Sequence, residues 1–302
     1  STLDFTKGDI CSINRLFEFH QFYSKNGDLQ AADKIRDLLA KVMDGEKIIA
    51  FCGHFSAGKS SMINWLFGAD ILAASPIPTS ANLVKLKASD HISFKIFYKD
   101  GAIREYKPTD SFGHFKQVFK NGESIKRVEI AYPSKFLPKD AVIMDTPGID
   151  STDDAHRLAT EGALHLANSL FYVMDYNHVM SEENFLFTKE MANHGKDVYL
   201  VINMIDKHQD NELSFDTYQK SITDAFLAWN IQPVKIFYTS LKEIDHPYNE
   251  LTSMVEEIRH IFAEKEPVSL EGSLRLVMEE HLRKFSEDQE MRRNELEQIL
   301  SS

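Results

Sequence analysis

One string constrains this chain more than any other. Gly53-His54-Phe55-Ser56-Ala57-Gly58-Lys59-Ser60 fits G-x-x-x-x-G-K-[ST], directly after the apolar run Ile48 to Cys52 and before the helical stretch Ser61 to Phe67. Strand, glycine-rich loop and helix in that order is the context in which this pattern works as a phosphate cradle. Gly53 and Gly58 let backbone amides turn inward around phosphate oxygens, and the helix N-terminus adds its partial positive charge. Lys59 then reaches the β- and γ-phosphates, and the Ser60 hydroxyl is placed to ligate Mg²⁺.

The surrounding pattern predicts an α/β fold with a mainly parallel central sheet flanked by helices. Short β-branched and aromatic runs at Ile48 to Cys52, Leu83 to Leu86, Ile92 to Tyr98, Val128 to Ala131, Ala141 to Met144, Leu170 to Met174, Val198 to Ile202 and Val234 to Tyr238 alternate with helical stretches. Most intervals are long enough for crossover helices. The Leu83 and Ile92 runs are too close for that and are expected to form an antiparallel hairpin at the sheet edge.

Residues 1–45 carry helical periodicity, with Ile10, Ile13, Leu16 and Phe17 on one face and Ile35, Leu38, Leu39 and Val42 on a second, broken at Lys25-Asn26-Gly27. Phe17, Phe19, Phe22 and Tyr23 are read as core aromatics at helical spacing rather than a membrane wedge. From about Pro267 a charged helix begins, its stripe formed by Leu270, Leu274, Val277, Met278, Leu282 and Phe285 and continued by Leu296, Ile299 and Leu300. Such a stripe must be covered, and the N-terminal helices are the expected partners. The expected domains are therefore 1–45, helical; 46–266, the α/β domain; and 267–302, a C-terminal amphipathic helix that completes a small bundle. That helix reaches Ser302 without a capping glycine, which suggests a piece of a longer protein.

Three further strand ends carry chemistry. Asp145-Thr146-Pro147-Gly148 follows Ala141-Val142-Ile143-Met144. Asp145 can hold Mg²⁺ through a water there, and the Gly148 amide can bond a γ-phosphate. Asn203-Met204-Ile205-Asp206 follows Tyr199 to Ile202, and the Asp206 carboxylate can accept from both the ring N–H and the exocyclic amine of guanine, which selects GTP over ATP. Ser240 and Leu241 follow the last strand and are placed to touch the base through their backbone. Between the cradle and Asp145, the Pro-punctuated Ser75 to Asn82 is extended and loop-like, with Thr79 available to Mg²⁺ through its hydroxyl and to the attacking water through its backbone.

With these residues assembled, the chain resembles the dynamin superfamily of GTPases, and most of all the bacterial dynamin-like proteins. The resemblance rests on Phe55-Ser56-Ala57-Gly58-Lys59-Ser60-Ser61, with its double serine, on Pro76-Ile77-Pro78-Thr79 as a proline-flanked switch threonine, and on helices at both ends of the core. It is firm over residues 47–241 and looser over the rest of 28–302. It implies that Ser56 orients the attacking water and helps hold a monovalent cation, K⁺ or Na⁺, that Thr79 positions the water, and that Gly148 binds the γ-phosphate. Two heads are then expected to dimerise across their nucleotide sites, with slow hydrolysis when alone. Ile149 stands where small GTPases carry a glutamine, Phe55 where eukaryotic dynamins carry one, and Met204 where a lysine usually covers guanine, with Lys207 close by. The family also implies membrane remodelling or fusion by the full-length protein, through parts absent from this chain, at the cytoplasmic face of a membrane.

Composition narrows the alternatives. Thirty-four Lys plus Arg against 46 Asp plus Glu gives a net charge of −12, and no basic run relieves it. That argues against nucleic-acid partners, and so against a ribosome- or tRNA-associated GTPase. Cys11 and Cys52 are too few for a disulfide framework or a thiolate zinc site, and are expected to be buried thiols of a cytosolic protein. No stretch reaches the roughly 18 apolar residues of a membrane-spanning helix, and Ser1 to Asp9 does not read as a signal peptide. A scaffold that binds GTP without hydrolysing it is the remaining alternative, against which Lys59, Ser60, Thr79 and Asp145 all count.

Overall fold

The computed structural model describes residues 7–74, 83–106, 125–146, 148, 164–264 and 270–301. They belong to two compact units, Glu46–Glu266 and a second made of Ser1–Gly45 with Pro267–Ser302.

In the larger unit nine strands form one sheet: β1 (Ile48–Gly53), β2 (Leu83–Ala88), β3 (Ser93–Tyr98), β4 (Ile103–Tyr106), β5 (Ile125–Tyr132), β6 (Val142–Asp145), β7 (Ser169–Asp175), β8 (Asp197–Asn203) and β9 (Lys235–Thr239). Their order is β4-β3-β5-β2-β6-β1-β7-β8-β9. From β6 to β9 every neighbour is parallel. Strands covered on both faces read as continuous apolar runs, and every residue of β1 and β6 is buried. The register aligns Phe51 with Phe171 and Phe171 with Tyr199, and their rings stack at 5.4 and 4.7 Å. This aromatic row is part of the same core as Met62 and Leu66 of α3 (Lys59–Phe67) and Met254 and Ile258 of the helix Leu251–Ala263. Tyr172, one residue on and so on the opposite face, packs on Phe187 of the helix Glu182–Asn193 and donates to Asn184 Oδ1 at 2.7 Å.

The expected hairpin of β2 with β3 does not form. β5 lies between them, parallel to β2 and antiparallel to β3. The two strands run in opposite directions, as their short connection requires, but two strand spacings apart. The four residues 89–92, bent at Asp90 and His91, cross that gap of about 10 Å. The hairpin partner of β3 is β4, which the apolar pattern misses because Ile103, Arg104 and Glu105 are exposed. Its turn carries Gly101 at φ +89°, and Asp100-Gly101 between two strands is a recognised hairpin signal. The register also lines up Lys85, Glu129, Lys95 and Glu105 across β2, β5, β3 and β4. Lys85 lies 3.8 Å from Glu129 and Lys95 3.9 Å from Glu105, an alternating ladder that disfavours any register placing like charges opposite.

The smaller unit contains α1 (Lys7–Lys25), α2 (Leu29–Asp44) and a long helix over Glu271–Ser301. Asp28 caps α2 by accepting from the Ala31 amide at 3.0 Å, and Gly45 closes it in the left-handed region at φ +64°. Leu16, Tyr23, Ile35, Leu38 and Val277 are buried here. The predicted stripe is rotated. Met278, Leu282 and Phe285 are 40–61% exposed, while Ser273, Leu274, Leu276, Val277 and Glu280 are buried. An apolar pattern passes over Glu280, which is buried because the Lys34 ammonium of α2 is paired with it. Phe17 and Phe22 are likewise half exposed, so of the four aromatics read as core only Tyr23 is fully buried. Cys52 is buried as expected, but Cys11 is exposed.

Two measurements test this architecture. Asp28 also accepts from His281, with Oδ2 2.8 Å from Nδ1. Burial alone would push its carboxyl up, but the Ala31 amide, His281 and Lys284 outweigh it and hold it below the ordinary range. Its contribution is therefore complete above the usual carboxylate pKa of about 3.9 and is lost as the pH falls through the lowered value. Asp28→Ala should cost about 1 kcal/mol in urea unfolding at pH 7 and less at pH 3, where equal costs would contradict the assignment. At the end of β1, a Cβ on Gly53 would stand 2.2 Å from the Val173 carbonyl oxygen with φ at +148°. Gly53→Ala should therefore cost about 2–4 kcal/mol, and an unchanged denaturation midpoint would show that β1 and β7 part freely there.

Candidate nucleotide-binding site

The parallel strands end together. Asp145 pairs with Phe51, Val173 with Gly53, and Asp175, Asn203 and Thr239 line up in one row. Loops leaving this edge carry most of the residues singled out above, where open α/β sheets bind their ligands.

Gly53 leads into extended His54, a short 3₁₀ turn at Phe55–Ala57, then Gly58 at φ +85° and α3. Ser56 and Ser61 are exposed, while His54, Ser60 and Gly148 are half-buried. Lys59 is buried; its ammonium donates to the Asp145 carboxylate and, at 2.6 Å, to the Thr146 carbonyl. Thr146 in turn donates its hydroxyl to the Phe51 carbonyl at 2.9 Å. Burial pushes the Asp145 carboxyl up, and Lys59 pulls it only part of the way back. A buried, paired cation and carboxylate thus stand where the glycine-rich loop meets the end of β6.

Asn203 links the two halves of the site. Its amide donates to the Ala57 carbonyl at 3.0 Å and its oxygen accepts from Thr239 at 3.2 Å. A Cβ on Gly58 would come within 2.5 Å of that amide nitrogen and 3.5 Å of Met204 Cε, which is why glycine is needed at 58. Asn203 itself is 3% exposed and acts here as a tie between loops. Met204, at φ +66°, starts the 3₁₀ turn Ile205–Lys207 that presents Asp206. The Asp206 carboxylate accepts from Ser240 Oγ at 2.7 Å and lies 3.7 Å from Lys242 Nζ. Ser240 is fully buried, and its oxygen also accepts from the amides of Lys242 and Glu243 at 3.2 and 3.0 Å. Leu241 packs against the sheet core. Lys207 is turned to Asp175, 2.5 Å from its Oδ2.

Thr79 lies outside the described residues, as does the whole Ser75 to Asn82 segment. Two residues of this edge escaped the sequence reading. Asp175 ends β7 as Asp145 ends β6, a signal visible as a carboxylate directly after the buried run Leu170 to Met174. Asn249 braces Ser240 through its amide and carbonyl at 3.2 and 2.8 Å, a contact across a loop that no local motif announces. Among the described residues, no helix is long and apolar enough to cross a membrane.

Comparison with known proteins agrees with this geometry. The family model described as Dynamin family matches residues 49–206, more than half of the chain. Dynamin-like protein A of Bacillus subtilis (strain 168) is 36% identical over 280 residues, which are 92% of this chain and 23% of that protein. Dynamin-like protein 1 of Campylobacter jejuni is 26% identical, over 52% of this chain and 27% of that protein. The chain thus spans about a quarter of the length of either relative. Among solved structures, a chain of an oligomerised bacterial dynamin pair, described as providing a mechanism for the long-range sensing and tethering of membranes, superposes with a TM-score of 0.54 at 19% identity. It covers 84% of this chain and 39% of that one, a likeness of fold. A family model that matches more than half of the chain, and a relative 36% identical over 92% of it, place this chain in the dynamin family.

Proposed function

We propose that this chain is a Mg²⁺-dependent, GTP-hydrolysing head. The observation that carries the reading is the edge shared by the buried Lys59–Asp145 pair and the Ser240-held Asp206. In the cradle, the amides of Gly53 to Ser60 surround the β-phosphate. Lys59 exchanges its carboxylate partner for the β- and γ-phosphates, so the cation that enters the complex is already desolvated and aimed. Asp145, released by that exchange, and the Ser60 hydroxyl are the described residues that would hold Mg²⁺. One strand-end carboxylate and a hydroxyl suit an ion that takes its other ligands from water and phosphate oxygens. Held by Asp145 and Ser60, Mg²⁺ would supply Lewis-acid neutralisation of phosphate charge.

Asp206 accepts from the guanine ring N–H and exocyclic amine. Its remaining oxygen lone pairs are turned by Ser240, so the carboxylate meets the base in one orientation. Met204 lies against Gly58 and is placed to cover the ring by dispersion. Ser56 and the backbone of Thr79 would position the attacking water, Gly148 would bond the γ-phosphate, and Ser56 would help hold a monovalent cation, K⁺ or Na⁺, that supplies the kind of positive charge an arginine finger supplies. Heads pair across their nucleotide sites, which raises turnover. The oligomerised bacterial dynamin pair of the same fold supports self-association and a membrane role, which the full-length protein would exert peripherally at the cytoplasmic face through parts outside this chain.

Turnover against protein concentration is the direct test. In Mg²⁺ and K⁺ buffer, specific GTPase activity should rise with concentration, exceed ATPase activity and fall when the monovalent ion is removed. Activity flat in concentration would remove the head-pairing part, and no turnover would leave a binding scaffold. Asp206→Asn should weaken GTP by about 10- to 100-fold and improve xanthosine triphosphate, the loss of one charge-assisted contact pair. An unchanged guanine preference in fluorescence titrations would mean that the base is read elsewhere.

A further inference from the structure

The loop that presents Asp206 is held from two sides. On the β9 side Ser240 grips the carboxylate itself. On the β7 side two neighbouring residues reach across the Asp175–Asn203 register pair. Asp175 Oδ2 accepts from Lys207 Nζ at 2.5 Å, and Tyr176 Oη lies 2.7 Å from His208 Nδ1. The His208 side chain is 2% exposed, and its Nε2 lies 3.1 Å from Asp210 Oδ1. A carboxylate only accepts, so in the neutral ring Nε2 carries the proton and Nδ1 takes the hydrogen of the Tyr176 hydroxyl.

Both holders are themselves fixed. Asp175 Oδ1 accepts from the Asn177 amide at 2.8 Å, which closes the Tyr176–His178 turn. The Tyr176 ring stacks on Tyr218 at 4.4 Å, and its carbonyl accepts from the Tyr218 hydroxyl at 2.7 Å. Between the two grips, Met204 sits in the left-handed region at φ +66°, a conformation that a non-glycine residue keeps only when its surroundings enforce it.

We propose that Asp175 and Tyr176 are positioning residues for guanine recognition: through Lys207 and His208 they fix the loop so that Asp206 stands where the base edge arrives, without touching the nucleotide themselves. This rests on Asp206 being the carboxylate that reads guanine. It also assigns Lys207 to the loop's anchorage, with Asp175 as its partner.

The experiment compares GDP with inosine diphosphate, which lacks the exocyclic amine that Asp206 accepts from. Titrations of wild-type protein give the ratio of the two affinities. Tyr176→Phe removes one hydroxyl and keeps the ring and the carbonyl; Asp175→Asn removes the charge and keeps an acceptor for the Asn177 amide. Each should lower the GDP to inosine diphosphate ratio by about three- to tenfold, the size of one lost hydrogen bond. In an Asp206→Ala background neither should change the ratio further. A purely structural role would instead lower the melting temperature and weaken both nucleotides equally. If wild-type protein prefers GDP, Asp206→Ala abolishes that preference and both variants keep the wild-type ratio, the positioning role is overturned and the guanine reading stands. If wild-type protein shows no preference for GDP over inosine and adenosine diphosphates, the guanine reading fails and this inference fails with it.

Discussion

The buried ammonium of Lys59 governs how this site is built. It lies out of reach of bulk water, 6% exposed, so it must find its partners within the protein. They are the last residue of β6 and the carbonyl that follows it. That pairing works only if Asp145 arrives level with Phe51, as the β1–β6 register provides. A slip of one residue would turn the carboxylate to the opposite face and strand a buried cation. Strand register and the buried ion pair are therefore one constraint seen at two scales.

The rest of the edge follows by mutual exclusion. β7 approaches so closely that only glycine fits at 53, and the Asn203 amide occupies the space beside Gly58. The same Asn203 reaches the glycine-rich loop at Ala57 and β9 at Thr239, so the loop after β1 and the strand end of β9 are tied through one side chain. The outer strands β2 to β5 are made differently, with apolar residues on one face and the charge ladder from Lys85 to Glu105 on the other. Strength near the site comes from burial on both faces; in the outer sheet, register is reinforced by cross-strand charges.

The long helix of the smaller unit shows where sequence patterning loses its grip. The apolar stripe is right at Leu274 and Val277, which are buried, but it also selects Met278, Leu282 and Phe285, which are exposed. The buried face instead includes Ser273 and Glu280, because a lysine on α2 makes burial of that glutamate tolerable. Binary patterning treats a charged residue as solvent-facing, and only the partner helix can reverse that sign. The β2–β3 connection fails for a related reason. Its length correctly signals a reversal of direction, but no local property of residues 83–98 records that β5, some 30 residues on, inserts between the two strands.

By itself the sequence determined the parallel core, the glycine-rich loop from Gly53 to Ser60, and the placement of Asp145 at the end of β6 and of Asp206 just beyond β8. These depend on short-range features: apolar runs of strand length, glycines where backbone must turn, and carboxylates at or shortly beyond the ends of buried strands. Tertiary structure alone decided the order of the outer strands, the buried face of the long helix, and the company that the site residues keep. Lys207 belongs to Asp175, Asn203 to Ala57 and Thr239, and Asp206 to Ser240. These partners lie on different strands and meet only once register places their ends at one edge. A hydrogen bond acts over about 3 Å of space whatever the separation along the chain, so no local pattern could name its partner in advance.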